Sequence, residues 1–369
     1  MSQESAGPGE WPVAVRVPVE PVEAAVEADA RDAAVRSSTL AVRGPLFGVA
    51  SPCGDGGRRW RVVVEVTHGC PQQARDALNS MLWFRARDEA KDRDERRALL
   101  KAVARLESEC VDELSVLDTR YRVVRAEEYT GMDVHGDIEM PRPTDPEPPA
   151  PDWSRGARGP KIDDALVLDP DAPLSPVQAA ERLALRSLVY SGARFPDSVL
   201  RDSARAVESH PDVLLMPAVF RVAERSGSEN WTPGSGLHAT PHDVRKALDF
   251  SLVWWRPRER GLIPWDVTED IHLHADARTV VAEGTDPAAA ELAVLAEAAN
   301  RLRAERLDEL EALGTVYRIA RTRRLLRWGP DGPEGPRPSD INNHAPSALH
   351  LPLDEDGNMC VEEPAEEAP

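Results

Sequence analysis

The chain has 369 residues, enough for two ordinary domains, and its 41% apolar share is that of a protein folded over most of its length. Its 64 acidic against 45 basic residues give a formal net charge of −19, which repels phosphate backbones and excludes nucleic-acid binding except through a local basic patch. Cys53, Cys70, Cys110 and Cys360 are widely separated with no CxxC spacing, which speaks against a zinc knuckle or disulfide framework and fits a reducing cytoplasm.

Residues 1–20 read as a disordered tail. "MSQESAGPGEWP" has neither the basic start nor the apolar run of a signal peptide, and no later window approaches the roughly eighteen apolar residues of a membrane span. A cytoplasmic protein is expected. A first unit follows over 21–148, opening with a helix over about 21–36. A strand over about 46–51 runs into the hairpin-forming Asp55-Gly56-Gly57, and "RWRVVVEVT" then alternates Trp60, Val62, Val64 and Val66 onto one face. A helix is predicted from Pro71 to about Arg87. A longer one follows, with Leu99, Val103, Leu106, Cys110, Leu114 and Leu117 spaced by threes and fours. The last element is a strand through Tyr121–Arg125.

Residues 149–194 join this unit to the next. "PTDPEPPAPDW" (143–153) is acidic and Pro-rich, hence extended or disordered, whereas "SPVQAAERLALRSLVY" is a helix with Ser175 as N-cap, Pro176 at the first position and Gln178 closing a capping box. A second unit spans 195–346, from a helix over about 197–208, with an insertion at about 260–286. Residues 347–369 read as a loose acidic tail.

The second unit repeats the first. "RLESECVDELSVLDTRYRVVR" (105–125) and "RLRAERLDELEALGTVYRIAR" (301–321) share eleven of twenty-one positions without a gap. Chance would give about one or two at ordinary residue frequencies. "LFGVA" (46–50) answers "VFRVA" (219–223), "PQQARDAL" (71–78) answers "PHDVRKAL" (241–248), and "PRPTD" (141–145) answers "PRPSD" (336–340). The second copy departs at "WTPGSGLHA", where Pro233, Gly234 and Gly236 make a regular strand doubtful. The expected fold is α+β: two tandem β-β-α-α-β repeats related by a pseudo-twofold axis, an antiparallel sheet with helices packed on one face. The repeats form either one continuous sheet or two lobes.

"GPLFGVA", "ARDALNSMLWFRA", "RYRVVRAEEY", "PRPTDPEP", "DDALVLDPDAP" and "GLHATPHDVR" together resemble an actinobacterial family catalogued as a domain of unknown function, over about 40–340. That resemblance implies no activity, ligand or catalytic residue.

Candidate chemistry is sparse. Cys70 beside His68 has the form of a thiol with its base at a helix N-terminus. The second copy places Thr240 there, so the position asks for a cap. His68 and His238 recur at that corner, either as ligand contacts or as packed rings. Glu109, Asp112 and Glu113 recur as Glu305, Asp308 and Glu309; on helices they would share a face and could bind a divalent ion or simply be solvated. In the insertion Asp270, His272, His274 and Asp276 alternate, so an extended backbone would aim all four one way and could ligate zinc, manganese or iron. A polar edge strand would look the same. The "RIARTRRLLR" run (318–327) reads as a strand with one charged face. Trp83-Phe84 and Trp254-Trp255 read as core anchors; an exposed member of either pair would mark a partner surface. The sequence favours a non-enzymatic binding or scaffold protein with a protein or small-molecule partner. A metal-dependent hydrolase is the alternative.

Overall fold

The computed structural model describes residues 12–54, 57–266, 274–280 and 287–360, leaving Asp55 and Gly56 of the first hairpin turn outside. The first half comprises α1 (Pro21–Arg36), β1 (Thr39–Pro52), β2 (Trp60–His68), α2 (Pro71–Asp88), α3 (Arg93–Ser108), β3 (Glu113–Val116) and β4 (Thr119–Met132). A short β5 (Val167–Leu168) and α4 (Pro176–Leu185) lead to the second half. This contains α5 (Asp197–Ser209), β6 (Asp212–Leu215), β7 (Val219–Ser226), β8 (Thr232–Pro233), α6 (Pro241–Phe250), a π-turn (Ser251–Trp255), α7 (Arg256–Glu259), α8 (Pro287–Glu305), β9 (Glu309–Ala312), β10 (Thr315–Gly329) and β11 (Gly332–Pro333).

One sheet runs through both halves in the order β5-β2-β1-β4-β10-β7-β8, with antiparallel pairing. The join is β4 on β10, where Glu127 faces Leu325, Glu128 faces Arg324 and Tyr129 faces Arg323. Of the two arrangements open to the sequence, the continuous sheet is the one found. Phe47, Val49 and Val123 pack on Leu78, Leu82, Leu99 and Leu106 of α2 and α3. Phe220, Val222 and Ile319 pack in the same manner on Leu248, Leu295 and Leu302 of α6 and α8. Each such side chain contributes about 1.5–3 kcal/mol on burial. Neighbouring strand residues Leu46, Ala50 and Val124 join Trp60, Leu326 and Trp328 in a further cluster spanning both halves.

Two sequence expectations fail at the end of α3. The helix stops at Ser108, Glu109 is already extended (φ −127°, ψ 143°), and Glu113–Val116 form a hairpin strand with β4. Leu114 therefore reaches the core by strand alternation, and Leu117 sits in the turn at φ 51°. The paired carboxylates accordingly do not share helix faces: Glu109 and Glu305 stand at the helix ends against Arg105 and Arg301, whereas Asp112 receives Arg75, Glu113 receives Arg120 and Arg122, and the second half pairs Asp308 with Arg245 and Glu309 with Arg318. A hairpin wins because its two-residue turn lets Leu114 and Val116 bury against the sheet.

The chain beyond each long strand crosses to the opposite half. After β4, the Glu139 carbonyl accepts the Arg321 N–H at 2.8 Å and the Asp145 carboxylate takes Arg321 Nε at 3.0 and 3.1 Å. After β10, the Glu334 carbonyl accepts the Arg125 N–H at 2.9 Å and Asp340 takes Arg125 Nε at 2.9 and 3.2 Å. The tail expected to be loose lies along α2 over 350–360: Trp83 Nε1 donates to the Leu351 carbonyl at 3.1 Å, and the His350 ring stacks on Trp83 at 4.5 Å. The basic run of β10 is likewise turned inward. Arg324 is fully buried with both Asp163 oxygens at 2.6 and 2.7 Å, and Arg327 donates to the Arg186, Leu188 and His210 carbonyls.

Candidate functional site

The corner before each half's first sheet-packed helix is built by a shared local rule. Pro71 and Pro241 open α2 and α6, where a missing N–H costs nothing. Thr240 caps α6, accepting the Asp243 N–H at 3.2 Å and donating its hydroxyl to the Asp243 carboxylate at 2.6 Å. Cys70 has the extended cap backbone but makes no side-chain cap bond. Gln73 instead accepts the Gly69 N–H at 2.9 Å, and the buried thiol packs inside. A sulfur is a weak acceptor, so burial decides its place.

A cleft of about 480 Å³ opens beside α6. One wall is the connecting segment, with Trp153, Arg155, Lys161 and Ile162; the other is α6 and the residues before it, with His238, Asp243, Lys246 and Phe250; Glu65 of β2 closes it from the first half. The connecting segment is held by His242, whose Nε2 lies 3.1 Å from the Asp152 carbonyl, by Lys246, which donates to the Ala157 carbonyl, and by Glu147, which takes Arg245. Gly159 passes so close to Asp243 that a Cβ there would lie 2.3 Å from its carboxylate oxygens, so no larger residue fits without moving the wall. Asp163 fixes the far end through Arg324 and accepts the Val66 N–H at 3.0 Å.

The electrostatics follow from the burial of individual groups. Burial, and after it the Asp163 carboxylate, pushes the Glu65 carboxyl above the usual carboxylate range. Burial holds the His238 imidazole below its ordinary range against the opposing pull of Asp243, and holds His68 down against Asp76. Both rings favour the neutral form. His238 lines the cleft and exchanges two backbone hydrogen bonds with Phe220 at 2.8 and 2.9 Å, whereas His68 sits at its own corner at the end of β2 and does not line it. The structure therefore does not unite the two recurring histidines in one site.

Of the four residues proposed as metal ligands, Asp270 and His272 lie outside the described residues. His274 is exposed, and Asp276 is buried with both oxygens in use: one takes Arg155 at 2.9 Å, the other the N–H groups of Arg278 and Thr279 at 3.0 and 3.2 Å. Among the described residues, no group of three or more His, Cys, Asp or Glu is placed to hold a metal ion. The insertion nonetheless serves the cleft. Pro257 lacks the N–H that would bond the Val253 carbonyl, so the helix widens into the π-turn and Ala277 of the insertion donates to that carbonyl at 2.8 Å. Asp276 then holds Arg155 at the cleft wall. Of the aromatic pairs, Trp83 is buried, while Phe84 and Trp255 are each 44% exposed.

Glu65, Lys161, Asp163 and Lys246 were not singled out by sequence pattern. One signal was available: the chain has only four lysines, and two of them, Lys161 and Lys246, line this cleft. Among the described residues no helix is long and apolar enough to cross a membrane. A family model described as a family of unknown function (DUF5954) matches residues 20–343. No curated protein and no solved structure matches the chain.

Proposed function

We propose, for a chain that belongs to the family of unknown function DUF5954, a non-enzymatic binding protein built from two tandem units around a pseudo-twofold axis, taking a small molecule in the cleft beside α6. The duplication is supported by contacts made twice at matching positions. Arg75–Asp112 matches Arg245–Asp308, Arg122–Glu113 matches Arg318–Glu309, and the crossing pair Arg125–Asp340 matches Arg321–Asp145. The axis then passes through the facing pair Glu128 and Arg324. A cytoplasmic setting belongs to the proposal and agrees with four free thiols.

The binding reading rests on one observation: Glu65 from the first unit, the segment around Trp153–Ile162 and α6 of the second unit converge on one open cleft. Its volume suits a small ligand, and its mixture of Trp153, Phe250, Ile162, Lys161 and His238 suits one with an apolar body and an acidic group. Asp243 is engaged by Thr240, and Asp249 by Arg278 and Arg303, so neither is poised as a general base. Ligand-observed NMR of the full chain with a library of small aromatic acids tests this. Hits that vanish in Ala157→Trp, which fills the cleft, and weaken in Lys161→Ala are expected. A library without hits, or hits untouched by Ala157→Trp, would contradict it.

A further inference from the structure

A second cleft, of about 650 Å³, is lined by β1 and β4 of the first half and by β7, β8 and β10 of the second. It exists because the two units differ at one strand. In the first, Gly48 lets β2 approach β1 so closely that a Cβ would lie 2.6–2.8 Å from the backbone of Val64, Glu65 and Val66. The matching residue of "VFRVA" is Arg221, and the strand that should cover it has shrunk to Thr232–Pro233. Proline and glycine in "WTPGSG" forbid the longer ladder, so a side chain fills the space a strand would have taken.

Arg221 is only 6% exposed, yet its guanidinium is poorly satisfied. Its Nε lies 3.1 Å from Glu128 Oε1, a carboxylate that also receives Arg43 at 3.0 Å, but neither Nε nor Nη1 makes a hydrogen bond. The indole N–H of Trp231, another lining residue, has none either. A buried donor without a partner is costly, and a guanidinium fork is matched by carboxylate or phosphate oxygens. Around it the cleft is lined by Arg43, Arg194, Arg221 and Arg225 against Glu128 and Glu229, and Arg225 is paired with Asp137 at 3.0 Å, which leaves one positive charge in excess in a chain of net charge −19. Burial also holds the Arg221 guanidinium below its usual range, opposed by Glu128, which marks its need for more negative charge nearby.

We infer that this cleft binds a small organic phosphate monoester, the dianion seated against Arg221 with Arg43 and Arg194 at the rim and the organic part against Leu40, Val42 and Trp231. The unpartnered donors of Arg221 and Trp231 and the positive lining suit the several oxygens of a phosphate better than a carboxylate, and the volume leaves room for more than inorganic phosphate. The site differs from the cleft beside α6 and stands or falls separately from it.

Isothermal titration of the full chain with phenyl phosphate, and with benzoate as the monoanionic control, decides the matter. Saturable one-to-one binding of phenyl phosphate is expected, with benzoate weaker by about tenfold or more and Arg221→Gln weakening phenyl phosphate by a similar factor. Arg194 is exposed and lies over the Phe195 ring, so Arg194→Gln leaves the core untouched and is expected to weaken binding about threefold through lost charge. It decides the outcome if Arg221→Gln fails to fold. No saturable binding, equal affinity for benzoate, or an affinity unchanged by Arg194→Gln would overturn the assignment.

Discussion

Neutralising Asp163 should destabilise the protein more than any surface charge change, and the structure says by how much. Its carboxylate and the Arg324 guanidinium are both 0% exposed, joined at 2.6 and 2.7 Å, and the same carboxylate accepts the Val66 N–H at 3.0 Å. Asp163→Asn keeps the shape, keeps an acceptor for Val66 and tolerates the left-handed backbone at φ 58°. What it removes is the charge and the acceptor of Arg324 Nη2, leaving Arg324 with the retained amide oxygen and the Val66 and Pro217 carbonyls at 3.2 and 3.4 Å. Breaking a buried pair from one side costs about 3–5 kcal/mol, a large part of the roughly 5–15 kcal/mol by which domains are stable. Asp163→Ala adds about 1–2 kcal/mol for a left-handed residue without a local hydrogen bond. Urea denaturation followed by tryptophan fluorescence measures both. An Asp163→Asn loss below about 1 kcal/mol would refute the reasoning, since exposed pairs such as Arg105–Glu109 contribute no more than that.

Further outcomes follow from individual contacts. Thr240→Ala should cost about 1 kcal/mol as a lost helix cap, whereas Cys70→Ala should cost only the packing of a buried thiol, because no cap bond is made there; thermal melts of the two variants separate these. His68 and His238 are held below their ordinary pKa by burial, so their contribution is complete above pH 6.5 and is lost as pH falls from there toward their folded values. His238→Gln should flatten that part of the stability–pH curve, read by denaturation at pH 5 to 8; an unchanged slope would contradict the burial. Glu65 has the opposite sign: raised by burial and Asp163, it favours the fold below its ordinary value of about 4.5 and that contribution is lost as pH rises through its folded pKa. Glu65→Gln should therefore gain stability near neutrality. Deleting residues 347–369 should uncover Trp83 and destabilise the first half, seen as faster hydrogen exchange in α2.

Much of the architecture was legible because it is local. The capping box at Ser175 and the prolines at 21, 71 and 241 mark helix starts, and the shortened β8 follows from Pro233 and Gly234. The end of α3 was not legible, because Leu106, Cys110, Leu114 and Leu117 keep a helical spacing while Leu114 and Val116 also keep a strand spacing. The second half held the better clue: Leu313-Gly314, both left-handed, is hairpin chemistry where the first half has Leu117-Asp118. The candidate cleft was half legible. His238 could be found by its recurrence, but Asp163 meets a partner 161 residues away, and nothing in a pattern of neighbours reports such a pairing.

Each post-strand segment crosses to the opposite half, and double-mutant cycles test that crossing against its uncrossed alternative. Arg125 coupled to Asp340 and Arg321 coupled to Asp145 are the predicted pairs, each with its partners at most 10% exposed, so coupling of about 1.5 kcal/mol or more is expected in both. Arg125 with Asp145 and Arg321 with Asp340 should show less than about 0.5 kcal/mol. Strong coupling in the second set and none in the first would mean that each half closes on itself, and the crossing would be wrong.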